Sequence, residues 1–456
     1  MSLSRSQTQT LKSLFPGEEL LLSPEEAAPF GADASRAFAQ PWAVVRPRSL
    51  EQARELLAFA HRERIPLFPR GRATNVVGDC VPQGGGIVIS TLFLDSLAID
   101  PEDFVAVAGP GVVTADLAAA AEGRGLFYPP DPASVRISTI GGNVATCAGG
   151  MRALKYGVTR DFVLGLTAVL PGGQVIRCGG RTHKNVAGLD LARLLVGSEG
   201  TLAFITEIIL KLLPKPAATA SVLAGFASEA QALAAAQAVF RAGMLPAALE
   251  FMGAEVLDCL ALLGPTPWPR ETRAALLLRL DGSAAALAAD LDSLAAILRA
   301  ASATHLEQGL GADQEEPLWE QRRLINPASF RLRPDKLSDD VTVPRGKVAA
   351  AVAGIRQAGA AAGLPILVFG HIGDGNLHVN VMYDAAAGES EAAQRAKSDT
   401  LDLVLSLGGT MSGEHGIGLV KAAYLPRQIG QEELSLMRRI KDQFDPHHIM
   451  NPGKAY

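Results

Sequence analysis

The chain has 456 residues, 48% of them hydrophobic, which is enough for two or three domains with substantial cores and excludes a small stapled scaffold. Its 42 Lys and Arg against 47 Asp and Glu leave a net charge of −5 with no basic tract, which speaks against a nucleic-acid partner. Cys80, Cys147, Cys178 and Cys259 lie far apart with no C-x-x-C pair, so neither an iron–sulfur cluster nor a structural zinc site is expected, and a reducing, cytoplasmic setting is.

The first residues, MSLSRSQTQTLKSLF, lack the apolar core of a signal peptide, and no stretch of the chain approaches the roughly 20 apolar residues that span a bilayer. No transmembrane segment is therefore expected, and any association with the inner membrane would pass through a partner. Ser49 with Gln52 makes a capping box, and Ala53, Leu56, Leu57 and Ala60 recur at helical spacing, which predicts an amphipathic helix over 49–63. IPLFP, GGIVIST and FVAVAGPG read as strands, after which Thr114 is placed to cap an alanine-rich helix ending at the glycines of EGRG. LTAVL-PGG-QVIRC has the form of a hairpin, and TLAFITEIILKLLP predicts one long, largely buried strand. Beyond the linker LPKPAATA the composition shifts to alanine-rich helices, as in 284–301, alternating with strands such as AALLLRL and PILVFGHIG, so a domain boundary is expected near 215.

Two glycine-rich stretches suit a phosphate-bearing ligand, because small residues let backbone N–H groups approach an anion without interference from Cβ. They are FPRGRATNVVGD (68–79) and STIGGNVATCAGG (138–150). Neither matches a dinucleotide fingerprint or a Walker loop, and the bland alternative for each is a tight turn.

FGHIGDGNLHVNV (369–381) places two histidines around Asp374-Gly375, a signal for a two-residue type I′ hairpin loop. In that register Gly373 faces Asn376, Ile372 faces Leu377 and His371 faces His378, with Cβ atoms about 5 Å apart. A metal-ligand pair and two polar residues on a solvated hairpin face are both compatible with this spacing.

PRGRATN, YPPDPAS, TIGGNVATCAGG, LKYGVTRD, VGSEGTLAFITE, GHIGDGNLHVN, SGEHGIG and FDPHHIMNPGK occur in that order. In order and spacing the series resembles the FAD-linked 2-hydroxy-acid dehydrogenases, which include D-lactate dehydrogenases, the flavin subunit of glycolate oxidase and D-2-hydroxyglutarate dehydrogenase. These belong to the vanillyl-alcohol oxidase and p-cresol methylhydroxylase superfamily, and the resemblance covers roughly residues 38 to 456. It implies an α+β fold: an FAD-binding domain of two α+β subdomains, and a cap domain on an antiparallel sheet with flanking helices. On this basis residues 1–37 are an N-terminal extension, 38–214 the FAD-binding domain, 215–425 the cap or substrate domain, and 426–456 a C-terminal segment returning to the FAD domain.

Carried over by motif, Arg70, Gly71, Arg72, Ala73, Thr74 and Asn75 resemble the loop around the FAD pyrophosphate, and Asp131 and Pro132 the stretch beside it. Thr139, Gly141, Gly142, Asn143, Ala145 and Gly149 resemble the second flavin loop, Gly157, Gly200 and Ile205 contacts near the adenine half, and Asn451 a closure from the C-terminus. Ala73 departs from the family pattern, which has glycine there. The first loop lacks the histidine that carries covalent flavin in some relatives, so FAD held noncovalently is expected.

The resemblance also implies a chemistry. His371, His378 and Glu414 form a set of two imidazoles and one carboxylate with open coordination positions, as a catalytic Zn or Mn ion requires. An ion chelated by the substrate's hydroxyl and carboxylate lowers the pKa of the hydroxyl, His415 is assigned as the base, and hydride passes to flavin N5. Arg322 matches the family's W-x-x-R stretch as a carboxylate clamp, with Lys336 as a second cation. The expected activity is oxidation of a small D-2-hydroxy acid, D-lactate or glycolate. Two alternatives are a non-redox FAD enzyme of the alkylglycerone-phosphate synthase type and a non-catalytic flavin subunit of a larger oxidase. An electron acceptor outside this chain is implied: an iron–sulfur subunit, an electron-transfer flavoprotein or a quinone system.

Overall fold

The computed structural model describes residues 2–456. Its contacts divide the chain into two units, one comprising the residues up to Gly149, Val158–Lys215 and Glu414–Tyr456, the other Gly150–Gly157 and Pro216–Gly413. Among the described residues, no helix is long and apolar enough to cross a membrane.

The first unit holds two main sheets. Ala43–Val45, Ile87–Ser90 and Leu67–Arg70 run parallel, with the short strand Leu20–Leu21 added antiparallel at one edge. A five-stranded antiparallel sheet follows the order Leu97–Asp100, Val105–Ala108, Phe204–Lys211, Val163–Val169 and Val175–Gly179. The expected helix forms over Leu50–Glu63; the Ser49 hydroxyl accepts the Gln52 amide, and Arg64 ends the helix in the left-handed region at φ 54. Gln52 returns its side-chain oxygen to the amide of Arg48, one residue earlier than a capping box requires. Ala53, Leu56, Leu57 and Ala60 are fully buried in a core with Ile87, Ile89 and Phe204. Leu11 and Phe15 enter the same core, so residues read as an extension are packed into this unit.

Two local expectations need correction. The helix after Val105–Ala108 is capped at Val113, and Thr114 is already helical; its hydroxyl accepts from Asn143 Nδ2 at 2.8 Å and reaches the Ser138 carbonyl at 3.0 Å. A long-range bond has taken the hydroxyl that local capping would have used. The stretch 201–214 is two strands, Phe204–Lys211 and Leu213–Pro214, because the second leaves the large sheet to pair with Leu126–Phe127.

The second unit is built on a seven-stranded, wholly antiparallel sheet. Its order is His305–Leu310, Ala218–Phe226, Ala274–Gly282, Ala248–Met252, Ile366–Gly370, Asn376–Tyr383, Asp335–Thr342. Leu276, Leu277 and Leu278 are consecutive and fully buried, which in a structure of period two means that both faces of the sheet are covered. Each such side chain contributes about 1.5–3 kcal/mol of burial. Helices Glu229–Arg241 and Ala284–Ala300 pack on the central strands. Ala254–Ala261, Ala312–Arg323 and Ile325–Ser329 surround a cluster that includes Trp319, Leu277 and Phe369. Residues 150–157 join this unit through Asp281, which pairs with Lys155 and accepts the Tyr156 hydroxyl at 2.7 Å.

Candidate functional site

In the first unit an open cleft lies between the two glycine loops. Gly71 lets them meet, since a Cβ there would come within 2.5 Å of Thr139 Oγ1, and a Cβ on Gly141 would strike Pro110 at 2.4 Å. Gly142 differs: a Cβ on it would touch only Thr139 Oγ1, at 3.4 Å, so it keeps the floor of the cleft low. Thr139 caps the helix Ile140–Thr146 by accepting the Gly142 amide. The first loop is the part that wants a partner. Among the described residues no acceptor takes the backbone amides of Gly71 through Asn75, and such a run of donors lining a cleft suits an anion. Ala73 sits in this run at φ 53, a conformation that favours glycine. The Arg70 guanidinium is turned aside, donating to the carbonyls of Ala32 at 2.5 Å and Pro29 at 3.2 Å, so it braces the loop.

All the sequence-predicted cofactor residues line this cleft except Asp131, which precedes the lining residue Pro132, and Gly157, which belongs to the second unit. Glu414 and His415 line it too. A Cβ on Gly149 would come within 2.7 Å of Glu414 Oε2, so that glycine makes room for the carboxylate. Asn75 Nδ2 donates to the His415 carbonyl at 2.9 Å, and His415 Nε2 lies 3.9 Å from Glu414 Oε1.

In the second unit the histidines are found on one sheet face, by a different register from the one expected. Phe369 pairs with His378 and Val368 with Val379, so the turn has four residues, Ile372–Gly375. The cause is tertiary: the Gly375 carbonyl is taken by the Val343 amide at 3.0 Å, on the neighbouring strand's exit. The slip amounts to two residues and leaves facing unchanged, so the imidazoles still meet diagonally, with ring centroids 5.1 Å apart.

The same parity gathers charged groups around them. Asp340 is the cross-strand partner of His378, its Oδ1 3.9 Å from His378 Nδ1. It is fully buried and accepts Asn376 Nδ2 at 2.6 Å and the Gly413 amide at 3.0 Å. Beyond the end of strand Ile366–Gly370, His371 Nδ1 meets Glu250 Oε1 at 2.5 Å, while Arg322 Nε donates to Glu250 Oε2 at 2.7 Å. Burial alone would raise the Glu250 carboxyl, but His371 and Arg322 outweigh it and hold it down to about 2. Ionised, it accepts the proton of His371 Nδ1 and so selects the tautomer whose Nε2 carries the lone pair. Arg322 stacks over Phe369 at 4.8 Å, and its terminal nitrogens have no acceptor among the described residues. Lys336 Nζ donates to Asn326 Oδ1 at 2.5 Å and lies over the Phe330 ring.

Sequence reasoning missed Glu250, Asp340, Asn376, Asp79 and Glu199. Glu250 stands in the apolar run ALEFM, where a lone acidic residue in a buried strand was the available signal. Asp340 was hidden in the polar run KLSDD.

Residues 215–455 match the family described as FAD linked oxidases, C-terminal domain, and residues 41–179 match an FAD binding domain. The chain is similar to glycolate oxidase subunit GlcD of Bacillus subtilis (strain 168), at 40% identity over 418 residues, 91% of this chain and 89% of that protein. It is also similar to D-lactate dehydrogenase of Anaerostipes hadrus, at 37% identity over 435 residues, 91% of this chain and 90% of that one. Among solved structures, p-cresol methylhydroxylase with substrate bound superposes with a TM-score of 0.82, covering 99% of this chain and 97% of that one. The identity there is 16%, so the likeness is one of fold.

Proposed function

This chain belongs to the FAD-linked oxidase family, and from that premise we propose that it oxidises a small D-2-hydroxy acid, D-lactate or glycolate, to the 2-oxo acid. Two observations, one in each unit, carry the reading: a cleft whose first loop presents unclaimed amides, and a sheet face with two adjacent imidazoles, His371 held by the buried Glu250 carboxylate and His378 facing Asp340. Gly71 to Asn75 would hold the pyrophosphate of a noncovalent FAD, with Gly142 leaving space beside it. His371 and His378 would hold a divalent Zn or Mn ion. Glu414 is proposed as the third ligand, since it follows directly on Gly413, whose amide is anchored to Asp340. When bound, the flavin supplies a two-electron acceptor, and the ion a Lewis acid for the substrate's hydroxyl and carboxylate.

The chain's own groups do the remainder. Glu250 keeps His371 in the ligating tautomer and holds Arg322 by its Nε, leaving the terminal nitrogens for a substrate carboxylate. Lys336, held by Asn326 Oδ1, is proposed as the second cation for that carboxylate. His415 takes the hydroxyl proton, with its backbone fixed by Asn75. Anaerobic mixing of the flavin-loaded protein with D-lactate, glycolate and D-2-hydroxyglutarate should bleach the yellow absorbance with at least one of the three. Absorbance unchanged by all of them would refute the reading.

A further inference from the structure

Glu199 lines the cleft yet lies outside every role assigned so far. It is 5% exposed and held at φ 53, a left-handed conformation that is strained for a non-glycine residue. Backbone strain of that kind persists where surrounding contacts over-determine it, and here they do. Its amide donates to the Ala145 carbonyl at 2.8 Å, within the second glycine loop, and its carbonyl accepts Asn451 Nδ2 at 2.7 Å, from the C-terminal segment. Its two carboxylate oxygens divide their work: Oε1 accepts the Ile417 amide at 2.6 Å and Oε2 the Gly418 amide at 2.9 Å. A Cβ on Gly416, at φ 85, would come within 2.8 Å of Oε1, so the glycine of this turn is what admits the carboxylate.

Asp79 lies beside it. That side chain is 7% exposed, and Oδ1 is buried without a hydrogen-bond partner. Burial first, and then the Glu199 charge, push the Asp79 carboxyl well above its usual value. Asp33, whose Oδ2 accepts the Asp79 amide at 3.1 Å, pushes the same way, while Lys454 opposes them. Lys454 is itself pulled down to about 8 by burial, and donates to the carbonyl of Val81 and to Asn451 Oδ1. Cys80 adjoins the pair but its thiol is pushed up to about 12 by burial, with Arg70 against it. Asp79 therefore holds its proton to higher pH than an ordinary aspartate, beside the Glu199 oxygens that accept the two amides.

We propose that Glu199 is a positioning residue: its carboxylate, by accepting the Ile417 and Gly418 amides, fixes the turn Gly416–Gly418 and through it sets His415 at the cofactor cleft. The turn begins one residue after His415, whose carbonyl is pinned separately by Asn75, so two contacts fix the backbone that leaves the imidazole on its C-terminal side. This rests on the reading of His415 as the base.

The test uses the full chain with flavin bound, as Glu199→Ala, Glu199→Gln and Asp79→Asn. Removing the carboxylate should slow the limiting rate of flavin reduction about tenfold to a hundredfold, the scale of a misplaced reacting group, with little change in the apparent dissociation constant of the hydroxy acid. Glu199→Gln, which retains one acceptor, should recover part of that rate. Asp79→Asn, which leaves the Glu199 carboxylate in place, should lower that rate less than Glu199→Ala does. Independently of turnover, hydrogen exchange at the Ile417 and Gly418 amides should accelerate in Glu199→Ala, and to a smaller extent in Glu199→Gln, with or without flavin. Should Glu199→Ala not fold, the exchange of Glu199→Gln decides the matter. Parental exchange at both amides, or a folded Glu199→Ala reducing flavin at the parental rate, overturns the proposal. His415→Asn is run alongside: a parental rate in that variant removes the base assignment itself, and the exchange data then stand alone on whether Glu199 holds the turn.

Discussion

A carboxylate with no exposed surface, caught between an imidazole and a guanidinium, can be satisfied in one way. Glu250 must be ionised, His371 must donate from Nδ1, and Arg322 must donate from Nε. The neutral amide of Glu250→Gln would leave Arg322, whose side chain is 15% exposed, without a counter-charge. Breaking a buried pair from one side costs about 3–5 kcal/mol, so denaturant unfolding of this variant should give a loss of that order. His371 would also lose the partner that fixes its tautomer, and metal affinity should fall about 10–100-fold, the usual penalty for removing such an orienting group. Titration of the purified variant with Zn or Mn checks this; parental affinity would show that Glu250 orients nothing. Little of this pair was legible beforehand. His371 announced itself because two histidines flanked a turn, whereas Glu250 comes from a strand more than a hundred positions earlier and meets His371 only through the pairing of Phe251 with Gly370.

At the scale of elements, local signals were reliable wherever the local chain made the decision. Ser49 capped its helix as its spacing with Gln52 predicted, because both partners of that bond lie in one turn. Thr114 and the hairpin at Asp374-Gly375 misled for the opposite reason, each having its polar groups claimed from elsewhere, by Ser138 and Asn143 in the first case and by Val343 in the second. The hairpin error did no harm to the site, since a slip of two residues preserves which face a side chain occupies. A slip of one would have put His371 and His378 on opposite faces. Gly375 is what holds the actual register. At φ 92, and with a Cβ position 2.0 Å from the Val343 carbonyl oxygen, it cannot take a side chain without moving the strand exit. Gly375→Ala should therefore destabilise the protein by about 1–3 kcal/mol and weaken metal binding along with it. Melting temperature and metal content measured on the same sample check both effects, and a variant as stable as its parent would show that another turn is tolerated.

For the whole molecule, the family was legible because eight motifs recur in order from one end of the chain to the other, which no single glycine loop could have established. What the sequence could not convey was the protonation of the interior. With a raised Asp79, the native state binds more protons than the unfolded chain at every pH between the ordinary value near 3.8 and the raised one. Stability is therefore greatest below that window and drains as pH climbs through it. Asp79→Asn removes the drain. Melting temperatures of variant and parent should converge near about pH 4 and separate in the variant's favour toward about pH 7, below the range in which Lys454 titrates. A constant gap across that range would mean that Asp79 is ionised in the fold.

The central claim is that a metal held by His371, His378 and Glu414 and a base at His415 act together on a hydroxy acid beside the flavin. Anaerobic single-turnover reduction by D-lactate or glycolate addresses it most directly, comparing parent, metal-stripped protein and His378→Ala. Stripping and the substitution should each slow flavin bleaching by about a hundredfold or more, with Zn or Mn restoring the stripped parent and not the variant. Bleaching at the parental rate in both, with the metal verified as absent, would contradict the claim.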